Sequence, residues 1–202
     1  MHQEPDGYID PGPLIDDDLE LIAPAREWIN DMLLSCQHPL TRLLMPQQSQ
    51  IGRNQWESFL AQCPHGYASE GAARDHVRAY HFWMRLRADA AGAPPPVPIA
   101  GGLSLRLGHD ENLDLYLGHI GYHVLPPARG KHYAERSCRL ILPLARSHGF
   151  DELWITTNPD NAASRRTIER LGGILVNLVD VPPSNPLYGQ GDRQKYRYRL
   201  AL

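Results

Sequence analysis

Two runs in this chain hold residue types that can do chemistry together. The first is Gly121-Tyr-His-Val-Leu-Pro-Pro-Ala-Arg-Gly-Lys-His-Tyr-Ala134, an apolar strand that leaves through two prolines into a basic, glycine-bearing turn and then a helix. The N–H groups of a helix's first turn have no intrahelical partners, and the aligned peptide dipoles place about half a positive charge there. Arg129 and Lys131 add two cations, and Gly130 lets an anion come close to the backbone. Such a corner holds phosphate. The second run is Thr156-Thr-Asn-Pro-Asp-Asn-Ala-Ala-Ser-Arg-Arg-Thr-Ile-Glu-Arg-Leu-Gly-Gly173. Read from its residues alone it is a strand end followed by a helix, with Asp160 or Asn161 before an alanine-rich turn as the helix cap.

Proton transfer has candidates just before the basic turn. His119, Tyr122 and His123 lie on the strand, and His109, Asp110 and Glu111 in the loop ahead of it. Imidazole titrates near neutrality and can take a proton from an ammonium group. His119 and Tyr122 face opposite sides of a regular strand, so at most one faces a cleft unless a bulge intervenes. Arg106 can hold a carboxylate or stand as a surface charge. No metal is expected. On a strand, His119 and His123 are about 13 Å apart, and Cys36-Gln-His38 with Cys63-Pro-His65 makes only a loose set.

The surrounding pattern supplies elements to position these residues. Residues 1–17, rich in Pro, Gly and Asp, read as an irregular lead-in, and 18–202 as a single domain. Leu19 to Ala23 is a strand stopped at Pro24. From Ala25, the residues Trp28, Ile29, Met32, Leu33 and Cys36 recur at helical spacing up to Pro39, and a second helix carries Trp56, Phe59 and Leu60. Pro64 to Asp75 is undetermined. Strands are expected over Val77–Leu86, Val97–Leu107 and Leu115–Leu125. Helix, strand, helix, strand follow over Lys131–His148, Leu153–Thr157, Ala162–Leu171 and Ile174–Val181. In the last strand, Gln194–Leu202, Tyr196, Tyr198, Leu200 and Leu202 share one face and Lys195, Arg197 and Arg199 the other. Pro143 should kink the long helix, or make it stop near Leu142 and restart, because proline removes a backbone donor.

A chain of 202 residues with a net charge of −3 can bury a core and has no global attraction to nucleic acid or anionic membrane. Its three cysteines have no framework spacing, which suits a reduced, cytoplasmic setting. No signal-peptide pattern or membrane-length apolar run is present.

The order of strand, basic glycine turn, long helix, strand and short helix, with the second run about 30 residues after the first, resembles the GNAT superfamily of acyl-CoA N-acyltransferases. The resemblance covers about residues 95–202. It implies an α/β fold with a mixed, mostly antiparallel central sheet of six to seven strands, helices on both faces, and a split between two parallel strands. It implies that Val124 and Leu125 pair with the pantetheine arm of acetyl-CoA, or another acyl-CoA, and that Arg129, Gly130, Lys131, His132, Tyr133 and Ala134 hold the pyrophosphate. Asn158, Asn161 and Ser164 would line the arm. The acceptor would be a primary amine on a small molecule or protein, which attacks the thioester directly, and the protein would be a monomer or homodimer that binds neither nucleic acid nor membrane. Two departures stand out. His132 takes the place of a family glycine, so either the turn there is helical or the histidine contributes. Ile168 stands where the family has its proton-donating tyrosine, which leaves Tyr122, or a water, for the thiolate, with His119 as base and Arg106 and His109 toward the acceptor. A catalytically silent acyl-CoA-binding module is the alternative.

Overall fold

The computed structural model describes residues 7–63, 66–70, 77–88 and 91–202. Most of the segment from Pro64 to Asp75, with the Pro64 and His65 of the loose metal set, lies outside the described residues.

A hairpin comes first: β1 (Leu14–Asp16) pairs with β2 (Leu19–Ile22). This corrects the expected lead-in, whose last residues are part of the sheet. Alternation hides Leu14, Leu19 and Leu21 in the core, and Asp17 at φ 52° makes the tight turn. Earlier still, Tyr8 packs on Tyr67 and Tyr80.

Four helices follow: α1 (Ile29–Cys36), α2 (Pro39–Leu44), α3 (Pro46–Ser49) and α4 (Arg53–Gln62). Then β3 (Tyr67–Glu70) and the ten-residue β4 (Val77–Leu86) lead to β5 (Ile99–Leu107). β4 is apolar on both faces because both are covered. Tyr80, Phe82, Met84 and Leu86 belong to the main core, while Trp83 joins Ile29, Met32, Cys36, Trp56 and Ile99 under α1 and α4.

The strand expected from Leu115 begins only at Ile120. Leu113–Leu117 is one π-helical turn, capped by Asp110 Oδ1 accepting from the Leu113 N–H at 2.7 Å and closed by Gly118 at φ 73°. β6 is Ile120–Val124.

After the turn at Pro126–Ala128, α5 (Tyr133–Ser147) lies on the main core, against β1, β2, β5 and β6. It runs through Pro143 without interruption, so the stop and restart near Leu142 does not occur. Pro143 is exposed, as is Arg139, whose carbonyl loses its partner and can be hydrated. β7 (Glu152–Thr157), α6 (Ala162–Leu171), β8 (Ile174–Asp180), the short α7 (Pro186–Gly189) and β9 (Gln194–Ala201) complete the chain.

The strands make a six-stranded sheet, β1-β2-β4-β5-β6 with β3 also on β4, and a separate three-stranded sheet, β7-β9-β8. The central sheet is thus divided at the expected split: β6 and β7 share no ladder. Every pairing among the described residues is antiparallel.

Candidate functional site: the cleft between the two sheets

His119 fastens the closed end of the split. Its N–H donates to the Trp154 carbonyl at 2.7 Å, and its Nδ1 accepts from the Trp154 N–H at 2.8 Å. Gly118 permits the approach, since a Cβ there would stand 2.9 Å from the Thr156 nitrogen. With Nδ1 accepting, Nε2 holds the proton and donates to the Gly108 carbonyl at 3.1 Å. His119 is fully buried, and burial holds its pKa down. Both ring nitrogens are therefore committed, and His119 is a clasp rather than the base expected from sequence. The same tautomer argues against a metal. His109, Asp114 and His119 bring ligand atoms within 4.8 Å of one another. Metal on His119 Nε2 would force a hydrogen onto Nδ1, facing the Trp154 N–H.

Beyond the clasp, the edge of β6 is open, and hydrogen-bond parity says which groups it shows. Arg106 donates to the His119 carbonyl, and the Leu125 N–H to the Ala100 carbonyl, both at 2.7 Å. Odd-numbered residues of β6 thus point their backbone groups at β5, and Tyr122 and Val124 point theirs into the split. This corrects the expectation for Leu125, whose N–H is used and whose side chain is fully buried beneath α1. Val124 fits; its carbonyl accepts from Arg129 Nε at 3.1 Å.

A cavity of about 560 Å³ occupies this edge. β6 contributes Tyr122, His123 and Val124; the basic turn and α5 contribute Ala128, Arg129, Gly130, His132, Tyr133 and Ala134. α6 contributes Asn161, Ala163, Ser164, Arg166, Thr167 and Arg170, and Met45 closes one side. At the turn, Gly130 has φ 84° and His132 φ 58°, with ψ 20°. His132 is thus left-handed, a conformation costing a non-glycine residue about 1–2 kcal/mol. Among the described residues, the N–H groups from Gly130 to Glu135 have no backbone acceptor. Such a run of backbone donors can cradle an anion, with Arg129 and an exposed Lys131 beside it. The Tyr133 hydroxyl turns away, donating to Asp18 Oδ2, while Arg136 holds Asp18 Oδ1 at 2.7 Å and Asp16 Oδ2 at 2.6 Å.

Deeper in, the Tyr122 hydroxyl lies 2.9 Å from Ser164 Oγ. Burial pushes the Tyr122 pKa up to about 12, so the phenol stays protonated and serves as a proton donor or relay rather than a base. The Nε2 of His123 is shut off from solvent without a partner, and burial lowers that ring's pKa.

A family model described as an acetyltransferase (GNAT) domain matches residues 18–174. The chain belongs to the GNAT acetyltransferase family. No curated protein sequence matches it significantly. The fold is similar to the microcin C7 self-immunity acetyltransferase MccE, solved with acetyl-CoA and AMP, at 16% identity and TM-score 0.62 over 94% of both chains. It is similar to a GNAT-family acetyltransferase from Bacillus anthracis at 14% identity and TM-score 0.60, covering 94% of this chain and 98% of that one. The ribosomal L7/L12 alpha-N-protein acetyltransferase RimL, in complex with coenzyme A, aligns at 18% identity and TM-score 0.59 over 94% of this chain and 97% of its own.

Ile168 is fully buried in the main core and cannot act as an acid. Arg106 donates to the Gly118 carbonyl at 3.2 Å, and His109 packs on His119 and Phe150; neither lines the cavity. Asn158 lies outside it as well, donating to Asp192 Oδ1 and accepting from Lys195 Nζ, both at 2.6 Å. Lys195 is buried there. The sequence reading also missed Arg166, Thr167 and Arg170, although their spacing from Ala163 marks one face of α6. Met45 had no sequence signal. No helix among the described residues is long and apolar enough to cross a membrane.

Proposed function

We propose that this protein is an N-acyltransferase that moves an acyl group, in the first instance acetyl, from acyl-CoA to a primary amine by direct attack. The observation that carries this reading is the open edge of β6. The outward backbone groups of Tyr122 and Val124 run from the Tyr122–Ser164 hydroxyl pair to the left-handed turn at Gly130 and His132. Those groups offer an extended amide-bearing arm a strand to pair with, and the cradle beyond offers its phosphates unpaired N–H donors. A Cβ built on Gly130 would meet nothing within 4 Å, so the backbone is open to an anion there.

When bound, acyl-CoA supplies an activated acyl thioester. The chain's own work is then specific. The Arg129 side chain gives up the Val124 carbonyl and turns to phosphate. A β6 N–H that faces the split donates to the carbonyl oxygen as negative charge develops on it. As the new C–N bond forms and the C–S bond breaks, the Tyr122–Ser164 pair delivers a proton to the departing sulfur. His123 is the imidazole on the cavity wall, apart from His132 at the phosphate end, and burial keeps it neutral; to take the amine's proton its shut-off Nε2 has to turn toward the cleft.

The test is thiol release from acetyl-CoA against a panel of amines. Amine-dependent release supports the proposal. Binding of acetyl-CoA with no release from any amine would favour the silent acyl-CoA-binding module, which Ile168 in place of the family tyrosine recommends.

A further inference from the structure

α6 turns two rows of side chains toward the cleft. Ser164 and Thr167 form the inner row, half-buried and buried, and Ser164 meets Tyr122. Ala163, Arg166 and Arg170, at i, i+3 and i+7, form the outer row; all three are exposed and line the cavity. Arg129 lines it too, from the turn before α5, and no carboxylate does. Lone surface arginines are ordinary. Two arginines four apart on one helix repel each other, however, and a cavity wall of one sign draws in the opposite one.

These cations are not equally free. Arg170 donates to Glu135 Oε2 at 2.7 Å, and Arg139 donates to Glu135 Oε1 at 3.0 Å, so both oxygens of that carboxylate are engaged. Arg129 donates to the Val124 carbonyl. Arg165 turns away from the cavity, its guanidinium 5.1 Å from the centre of the Tyr196 ring. Among the described residues, the guanidinium of Arg166 has no hydrogen-bond or ion-pair partner. A planar fork of N–H donors held unpaired at a cavity rim suits a bidentate contact to phosphate.

Position selects the phosphate. On the acyl-CoA reading, the arm lies along β6 and the diphosphate meets the turn N–H groups and Arg129. The ribose is then left at the mouth, beside the outer row of α6, and its phosphomonoester carries about two negative charges at neutral pH. Lys131 does not line the cavity, and Arg170 is already held by Glu135. Arg166 is the cation on that wall with its donors open.

We infer that Arg166 is a donor-specificity residue, which binds the ribose phosphomonoester of acyl-CoA and makes the protein prefer that donor to the same thioester lacking this phosphate. This rests on the acyl-CoA reading above and adds to it a phosphate contact outside the turn.

Acetyl-CoA and acetyl-dephospho-CoA differ in that phosphate alone. Each is titrated by calorimetry into the full chain, into Arg166→Gln, and into Arg165→Gln, which removes the same charge one position off the cavity wall. Arg166 is exposed, so its replacement leaves the core alone. The parent should bind acetyl-CoA about tenfold or more tighter than the dephospho form. Arg166→Gln should bind the two alike, and Arg165→Gln should keep the parent's preference. Equal affinities in the parent overturn the inference and leave the acyl-CoA reading intact. So does a preference that survives in Arg166→Gln, or one lost in both variants, which would assign it to the general field of α6. If Arg166→Gln weakens both donors by the same factor, the arginine serves the diphosphate and the inference is wrong. Binding of neither donor by the unmodified chain would overturn the underlying reading, and this one with it.

Discussion

His119 is bonded to Trp154 twice, by its N–H to the Trp154 carbonyl and by its Nδ1 to the Trp154 N–H. The side chain thereby does what the next residue of a strand would do, and the two sheets are held together just where their ladders stop. Replacing His119 with leucine should cost about 2–4 kcal/mol, because a buried N–H and the Gly108 carbonyl both lose a partner. The pH dependence has a definite sign. Burial depresses this pKa below the ordinary 6.5, against the raising influence of Asp114 and with a lowering one from His109. The contribution is complete above 6.5 and is lost as pH falls toward the lowered folded value. Thermal unfolding at neutral and mildly acidic pH should show a smaller acid loss in the variant than in the parent; an identical slope would remove His119 from the titration.

Gly130→Glu should abolish acetyl-CoA binding. The side chain would carry negative charge into the anion cradle on a residue at φ 84°. An unchanged dissociation constant by calorimetry would mean that the phosphates lie elsewhere.

His132→Gly separates two roles. Glycine adopts φ 58° without strain, and after its extra unfolded-state entropy the variant should gain about 0.5–1 kcal/mol in denaturant melts. If the imidazole also contacts phosphate, acetyl-CoA affinity falls as stability rises. Unchanged affinity would show a residue that merely fits.

Tyr122→Phe removes the phenol and leaves Ser164 without its 2.9 Å partner. It should lower kcat by about tenfold to a hundredfold with little change in KM for acetyl-CoA. Ser164→Ala added to it should cost less than it does alone, since the two act as one donor. Full additivity of the losses would dissolve the pair.

Asp18→Asn tests how the N-terminal hairpin steadies the cradle. Burial opposes ionisation of Asp18, but the hydrogen bonds from Tyr133 and Arg136 win and hold its pKa below 3.8. Its contribution is therefore present above 3.8 and fades as pH falls below it. The variant should lose about 1–3 kcal/mol near neutrality, and weaken acetyl-CoA binding through Tyr133. A variant as stable as the parent at pH 7 would show the contact to be incidental.

Local chemistry was legible in the chain wherever one residue's properties decide the outcome. Glycine at 172 closes α6 in a left-handed conformation, and Asn161 Oδ1 caps the same helix at Ser164 N–H, 3.0 Å away. β4 has the bounds its apolar run gave, and Arg129, Gly130, Asn161 and Ser164 all line one cavity. Errors arose where a local pattern competed with a distant partner. Leu115 to Leu117 has strand-like composition, yet the Asp110 cap and Gly118 wind it into a turn. Pro143 breaks helices in isolation, but here α5 is held by the core along its opposite face, and the proline points to water.

By itself, then, the sequence determined the family and the order of the main strands and helices from β4 onward, because these depend on residue type at short spacing. Only the tertiary structure decided which groups are free to act. Leu125 and Val124 are neighbours of equal polarity, and nothing but pairing to β5 separates the one whose N–H is used from the one whose backbone faces the split. His119 and Tyr122 are equally plausible in a string of letters. Trp154 and Gly108 between them use up the two ring nitrogens of the first, while Ser164, 42 residues away, gives the second its partner in the cavity. Hydrogen-bond capacity is finite, and which partner uses it up is settled by contacts that sequence spacing does not contain.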